Sequence, residues 1–207
     1  MINGCRILIQ KGLSKIMANN DTEIELRFSV DNETFIKVEQ KLKEIASFVK
    51  ENHQVDKYFN HPSRDFMNAK SPFEWLSIRE RGDKFILNYK HFYPEDAEIQ
   101  THCDEFEVQF QGLEQLNKMF DALGFQKLIT IEKTRSLYSY NNEFEICLDT
   151  IEGLGKYIEI EAIKDFGSVE TTRENLFAFA ERLGIDTNHI NNTGYPILLL
   201  RQNNLIK

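Results

Sequence analysis

Three cysteines in 207 residues, Cys5, Cys103 and Cys147, with no Cys-x-x-Cys among them, suggest neither a disulfide framework nor a zinc site and imply a reducing compartment. Long apolar runs are lacking as well. No stretch approaches the ~20 residues needed to span a bilayer, and Ile7-Leu8-Ile9 is too short for the apolar core of a secretory signal. A soluble, cytoplasmic protein without membrane partners is therefore expected, in which the glycosylation sequon Asn20-Asp21-Thr22 carries no meaning. Positive charge is short too: 25 Lys and Arg stand against 33 Asp and Glu, a net charge of -8, which argues against a general nucleic-acid surface while leaving room for a local basic pocket.

Familiar catalytic signatures are equally scarce. There is no Walker loop, and Gly153-Leu154-Gly155 lacks a third glycine and opens onto a strand, so it reads as a turn and not as a dinucleotide fingerprint. His53, His61, His91, His102 and His189 show no metal-ligand spacing and have no Gly-x-Ser-x-Gly partner, which leaves a hydrolytic triad without support.

What the chain does have is a recurring two-residue charge alternation. In Thr22-Glu23-Ile24-Glu25-Leu26-Arg27-Phe28, a strand places Glu23, Glu25 and Arg27 on one face and Ile24, Leu26 and Phe28 on the other. The spacing returns in Arg79 and Arg81, Glu105 and Glu107, Lys133 and Arg135, and Glu159 and Glu161. Like charges side by side on a sheet repel, so such rows make most sense facing a ligand that carries both signs, for which a metal-bound polyphosphate qualifies.

A chain of this length buries roughly 70% of its unfolded surface, enough for one core. One domain is expected over residues 22–207, with 1–21 as an extension in which Met17 is a second possible start. Asp31-Asn32-Glu33-Thr34 offers caps for a helix carrying Phe35, Val38, Leu42, Ile45 and Val49 at helical spacing, and a strand follows over 54–60. Residues 73–81 and 84–92 alternate around the turn Gly82-Asp83, and 103–110 forms the next strand. Leu113, Leu116, Met119, Phe120 and Leu123 define a helix ending at Gly124. Strands are then expected over 125–140, over 143–150 after a two-residue turn Asn141-Asn142, and through Tyr157, Glu159 and Glu161. A helix spans 169–183 from a Thr171-Thr172 cap to Gly184. The class is α+β with an antiparallel sheet. A flat sheet would leave every charged row in water, whereas eight antiparallel strands suffice to close a barrel around a polar interior, with helices outside.

The acids Glu23, Glu25, Glu107, Asp149, Glu159 and Glu161 offer hard oxygen ligands suited to Mg²⁺ or Mn²⁺. The bases Arg27, Arg79, Arg81, Lys90, Lys133 and Arg135 can grip phosphate oxygens, the arginines bidentately. For any isolated acid the alternative is a solvated strand face, and for any isolated base it is simple ion pairing.

Glu23-Ile24-Glu25-Leu26-Arg27 resembles the ExExK signature of the CYTH superfamily, the triphosphate tunnel enzymes that include class IV adenylyl cyclases and thiamine triphosphatases. The resemblance continues through Lys57-Tyr58-Phe59-Asn60-His61-Pro62, Leu76-Ser77-Ile78-Arg79-Glu80-Arg81, Asn88-Tyr89-Lys90, Glu105-Phe106-Glu107, Glu132-Lys133-Thr134-Arg135 and Gly153-Leu154-Gly155-Lys156-Tyr157-Ile158-Glu159-Ile160-Glu161. It implies an eight-stranded antiparallel tunnel, as monomer or homodimer, whose bases hold a small-molecule triphosphate and whose acids hold one or two divalent metals. It leaves three activities open: triphosphate hydrolysis, cyclisation of ATP to cyclic AMP, and binding without turnover. Two positions depart from the pattern. Asn60-His61 replaces the usual Asp-Thr, and Arg27 stands where the family has lysine; arginine keeps the charge but does not readily give up a proton, so this position bears directly on catalysis.

Overall fold

The structure is a computed structural model that describes residues 21–95, 97–191 and 193–206. Its strands are β1 (Thr22–Glu23), β2 (Glu25–Val30), β3 (Ser47–Asn60), β4 (Glu74–Arg81), β5 (Lys84–Tyr93), β6 (His102–Phe110), β7 (Gln126–Tyr140), β8 (Phe144–Ile151) and β9 (Gly155–Ala162). The helices are α1 (Asn32–Ile45), α2 (Leu113–Leu123), α3 (Val169–Leu183) and α4 (Tyr195–Gln202), with a 3-10 turn over Thr187–His189.

All strand pairs are antiparallel, in the order β1-β6-β5-β4-β3-β7-β8-β9-β2. The two outermost members, β1 and β2, are consecutive in the chain and separated only by Ile24. One stave therefore closes the sheet on itself: Thr22 and Glu23 pair with Asp104 and Cys103 of β6, and Glu25 to Val30 pair with β9. The break at Ile24 makes nine strands where eight are expected, and the barrel is nearly closed. Asp21, just before β1, is tied to β6, since its carbonyl accepts from the Glu105 amide at 2.8 Å. The rest of the expected extension, residues 1–20, lies outside the described residues.

Alternation decides what faces outward. Leu26 and Phe28 of β2, Ile146 and Leu148 of β8, and Ile158 and Ile160 of β9 form a core with Phe35, Val38 and Leu42 of α1 and Leu176, Phe179, Ala180 and Leu183 of α3. Each such large side chain removed from water contributes roughly 1.5–3 kcal/mol. On another wall, Phe120 of α2 packs on Phe59 and Ile78. At one end of the barrel, α4 seats Tyr195, Ile197, Leu199 and Leu200 against Tyr58, Trp75, Ile131, Ile151 and Tyr157.

Local signals hold with four amendments. Asp31 caps α1, its side chain accepting from the Thr34 amide at 2.7 Å, but the helix stops at Ile45. The expected helical position Val49 is instead an exposed strand residue, because β3 begins at Ser47 and pairs along β7 well before the expected start at Gln54. The β7–β8 loop has three residues, Asn141 to Glu143, with both asparagines in the left-handed region that Asn tolerates. Ser168, not Thr171 or Thr172, caps α3. Tyr195–Gln202, in which the sequence shows the short apolar run Ile197-Leu198-Leu199-Leu200 without a marked period, is helical with Pro196 in its first turn, where a missing amide does no harm. No helix among the described residues is long and apolar enough to cross a membrane.

Candidate active site

Because Leu26 and Phe28 face the helices, Glu23, Glu25 and Arg27 face the barrel interior, and the same parity turns Arg79 and Arg81, Lys90, Glu105 and Glu107, Lys133 and Arg135, Asp149, Glu159 and Glu161 toward the same space. The interior is a belt of ion pairs. Lys90 Nζ lies 2.7 Å from Glu23 and 3.4 Å from Glu105. Arg79 Nη1 bonds Glu105 at 3.0 Å and Glu107 at 2.6 Å. Arg135 grips Asp149 bidentately at 2.7 and 2.6 Å and reaches Glu159 at 3.0 Å. Arg27 Nε donates to the other oxygen of Glu159 at 3.0 Å, and its Nη2 pairs with Glu25.

Burial gives this belt its electrostatic character. The Glu23 carboxyl is pushed well above the carboxylate range by desolvation, with Glu105, Glu25 and Glu161 adding repulsion that Lys90 only partly offsets. Glu105 and Glu159 are also desolvated, yet their cations hold both well below that range: Lys90 and Arg79 for the first, Arg135 and Arg27 for the second. Lys133 behaves differently from the other bases. Desolvation and the neighbouring Arg135 lower its pKa, and its nearest carboxylates, Asp149 at 3.7 Å and Asp56 at 3.8 Å, lie beyond hydrogen-bonding distance.

All six expected phosphate-binding bases thus share one interior, from β2, β4, β5 and β7. The six expected metal ligands share it too, but not as one cage. Asp149 sits against Arg135, Glu107 lies at the more exposed rim on Arg79, and Glu159 bridges Arg27 and Arg135. Glu25 is in register with Glu161, and Glu23 lies two residues away on the same stave. Among the described residues, no three His, Cys, Asp or Glu side chains are grouped closely enough to hold a metal ion.

Sequence reasoning missed Asp56 and Tyr195. Asp56, 2% exposed, bonds Arg81 and faces Lys133; it shares the inward parity of Gln54 and Tyr58, and extending the alternation along β3 would have found it. Tyr195 donates to Asp149 at 3.2 Å and lies under Arg27, whose guanidinium carbon is 4.4 Å from the ring centroid. No strand periodicity marks it, because it arrives on α4 from outside the sheet. A cavity of about 120 Å³ reaches Glu23, Glu25 and Arg27, lined also by Trp75, Phe92, Lys70, Arg173 and Arg201.

Comparison with known proteins agrees with this architecture. A Methanocaldococcus jannaschii protein provisionally named an adenylate cyclase is 30% identical over 175 residues, covering 84% of this chain and 95% of its own. The solved structure of protein PH1819 from Pyrococcus horikoshii superposes with a TM-score of 0.72 at 30% identity, covering 87% of this chain and 99% of its own. A Hippeastrum adenylyl cyclase homologue, described as having a dominant triphosphatase activity, shares the fold at a TM-score of 0.58 and 17% identity, covering 88% of this chain and 95% of its own. The CYTH domain matches residues 21–195, the stretch that forms the closing stave, the charged interior and the helices around it, and the chain belongs to the CYTH family.

Proposed function

We propose that the protein cleaves a phosphoanhydride bond of a small-molecule triphosphate inside the barrel, with Mg²⁺ or Mn²⁺ as cofactor. The observation that carries this reading is the convergence of Arg27, Arg79, Arg81, Lys90, Lys133 and Arg135 on one desolvated interior. Desolvating six cations is costly, and structural ion pairs return little over apolar packing, so a polyanion that shares them is the physical reason for keeping them.

We assign the hard-oxygen ligation of the divalent cation to Glu23, Glu25 and Glu161, which share the interior without forming a three-ligand cage among the described residues, so the triphosphate itself would complete the site. The Glu23 pKa is held high chiefly by desolvation, with repulsion from Glu105, Glu25 and Glu161 added, a cost that a bound cation would offset. When bound, the metal would neutralise phosphate charge and polarise the bond that breaks. The arginines hold the phosphoryl oxygens in line and stabilise the charge that develops on them. Lys133, buried and depressed in pKa, is the interior base best able to exchange a proton with the attacking or leaving oxygen.

Cyclisation of ATP is the second reading, favoured by the name of the M. jannaschii relative; here a ribose hydroxyl replaces water as the attacking group. Turnover of tripolyphosphate, thiamine triphosphate and ATP with Mg²⁺ or Mn²⁺, following phosphate and cyclic AMP together, separates the two. Phosphate release is expected. Cyclic AMP as the dominant product would replace hydrolysis with cyclisation, and binding without either product would leave a binding module.

A further inference from the structure

We infer that Tyr195 is a positioning residue for Arg27, holding the guanidinium by a cation–π stack so that it meets the triphosphate in a fixed orientation. The inference rests on the phosphate-gripping role given to Arg27 above.

Arg27 is constrained from two directions. Glu159 and Glu25 engage Nε and Nη2 through hydrogen bonds, and the Tyr195 ring lies 4.4 Å from the guanidinium carbon. Among the described residues nothing bonds Nη1, which leaves that nitrogen to a ligand. The ring is itself held in three ways. Its hydroxyl donates to Asp149 at 3.2 Å, its ring makes a T-shaped contact with Tyr157 at 5.0 Å and 75°, and its backbone starts α4, whose Ile197, Leu199 and Leu200 are buried. Lys133 Nζ also lies over the ring, at 5.4 Å, so the same side chain backs two interior cations.

This arrangement gives the Arg27 departure a physical setting. A planar guanidinium gains orientation as well as attraction from the ring, whereas an ammonium, a compact point charge, gains attraction without a fixed orientation. Arg27 and Tyr195 should therefore be energetically coupled, and the coupling should weaken when residue 27 is lysine.

Two measurements test this. In the ligand-free protein, the Arg27 Nε–Hε resonance should shift and broaden in Tyr195→Leu as the ring current is lost, and stay near its native position in Tyr195→Phe, which keeps the ring but loses the bond to Asp149. With tripolyphosphate and Mn²⁺, Tyr195→Leu should raise KM about tenfold with a smaller change in kcat, and Tyr195→Phe should recover most of that loss. In an Arg27→Lys background, Tyr195→Leu should move KM less than about twofold. Tyr195→Met, which fills more of the ring's volume, replaces the leucine variant if that variant melts early. An unmoved Arg27 resonance, or an equal KM penalty in both backgrounds, overturns the inference and reduces Tyr195 to packing. If the native protein turns over no triphosphate, the ligand-free spectra still decide the positioning role, and the failure falls on the proposed function alone.

Discussion

Arg27 shows how much a single side chain can carry in this interior. It is desolvated, and Glu25 and Glu159 drive its pKa well above its ordinary value, so it stays charged at any accessible pH. If its contribution to turnover is charge alone, Arg27→Lys should leave kcat/KM for tripolyphosphate within about tenfold, a barrier change of ~1.4 kcal/mol. A large gain of turnover would instead show that a lysine here has a chemical role arginine cannot fill. Steady-state assays of both proteins at saturating Mn²⁺ give the answer. The thiols are a contrasting case: burial pushes Cys103 up to about 12 and raises Cys147 as well, so neither is a nucleophile at neutral pH.

At the scale of elements, β2 and α1 are joined by a tight, readable junction. Asp31 is the α1 cap, and its bonds to the Thr34 amide lower its pKa. A carboxylate depressed by folding contributes stability above its unfolded pKa and loses it as pH falls through the folded value. Asp31→Ala should therefore lower the melting temperature at pH 7, and the gap to the native protein should narrow as pH drops below the carboxylate range. Thermal melts of the two proteins at pH 7 and pH 3 test the sign; a gap that widens in acid would refute it. The cap was legible because an Asx side chain before a helical apolar pattern has few other uses. The end of the same helix was not. Val49 continues the α1 apolar spacing, and only pairing of Ser47 onward with β7 draws that segment into a strand.

At the scale of the molecule, closure turns charged rows into a site. Flattened, the same sheet would bathe each acid and base in water, where such pairs are worth little. Curled, it desolvates them together, and burial with the nearby carboxylates Glu105, Glu25 and Glu161 holds the Glu23 carboxyl well above the carboxylate range. A ligand that supplies both signs should then stabilise the fold more than either part alone. Mn²⁺ with tripolyphosphate at about a hundred times its dissociation constant should contribute ~2.7 kcal/mol. Glu161→Gln should reduce the Mn²⁺-dependent part of that shift, measured against the variant's own unliganded melting temperature. Differential scanning calorimetry with each component alone and together measures it, and a shift by tripolyphosphate that is indifferent to Mn²⁺ would remove the metal from the reading.

The sequence by itself determined the inward faces. A two-residue period allows only two faces, and Leu26, Phe28, Ile158 and Ile160 commit theirs to the helices, so Arg27 and Glu159 had to point the other way. It determined the turn at Gly82 and the caps at Asp31 and Gly184 for the same local reason. The tertiary structure alone decided which acid meets which base, because Arg135 reaches Asp149 and Glu159 only through the stagger of β7, β8 and β9. It alone placed Tyr195 beneath Arg27, since that contact depends on where α4 docks against the end of the barrel, and no periodicity within either segment records it.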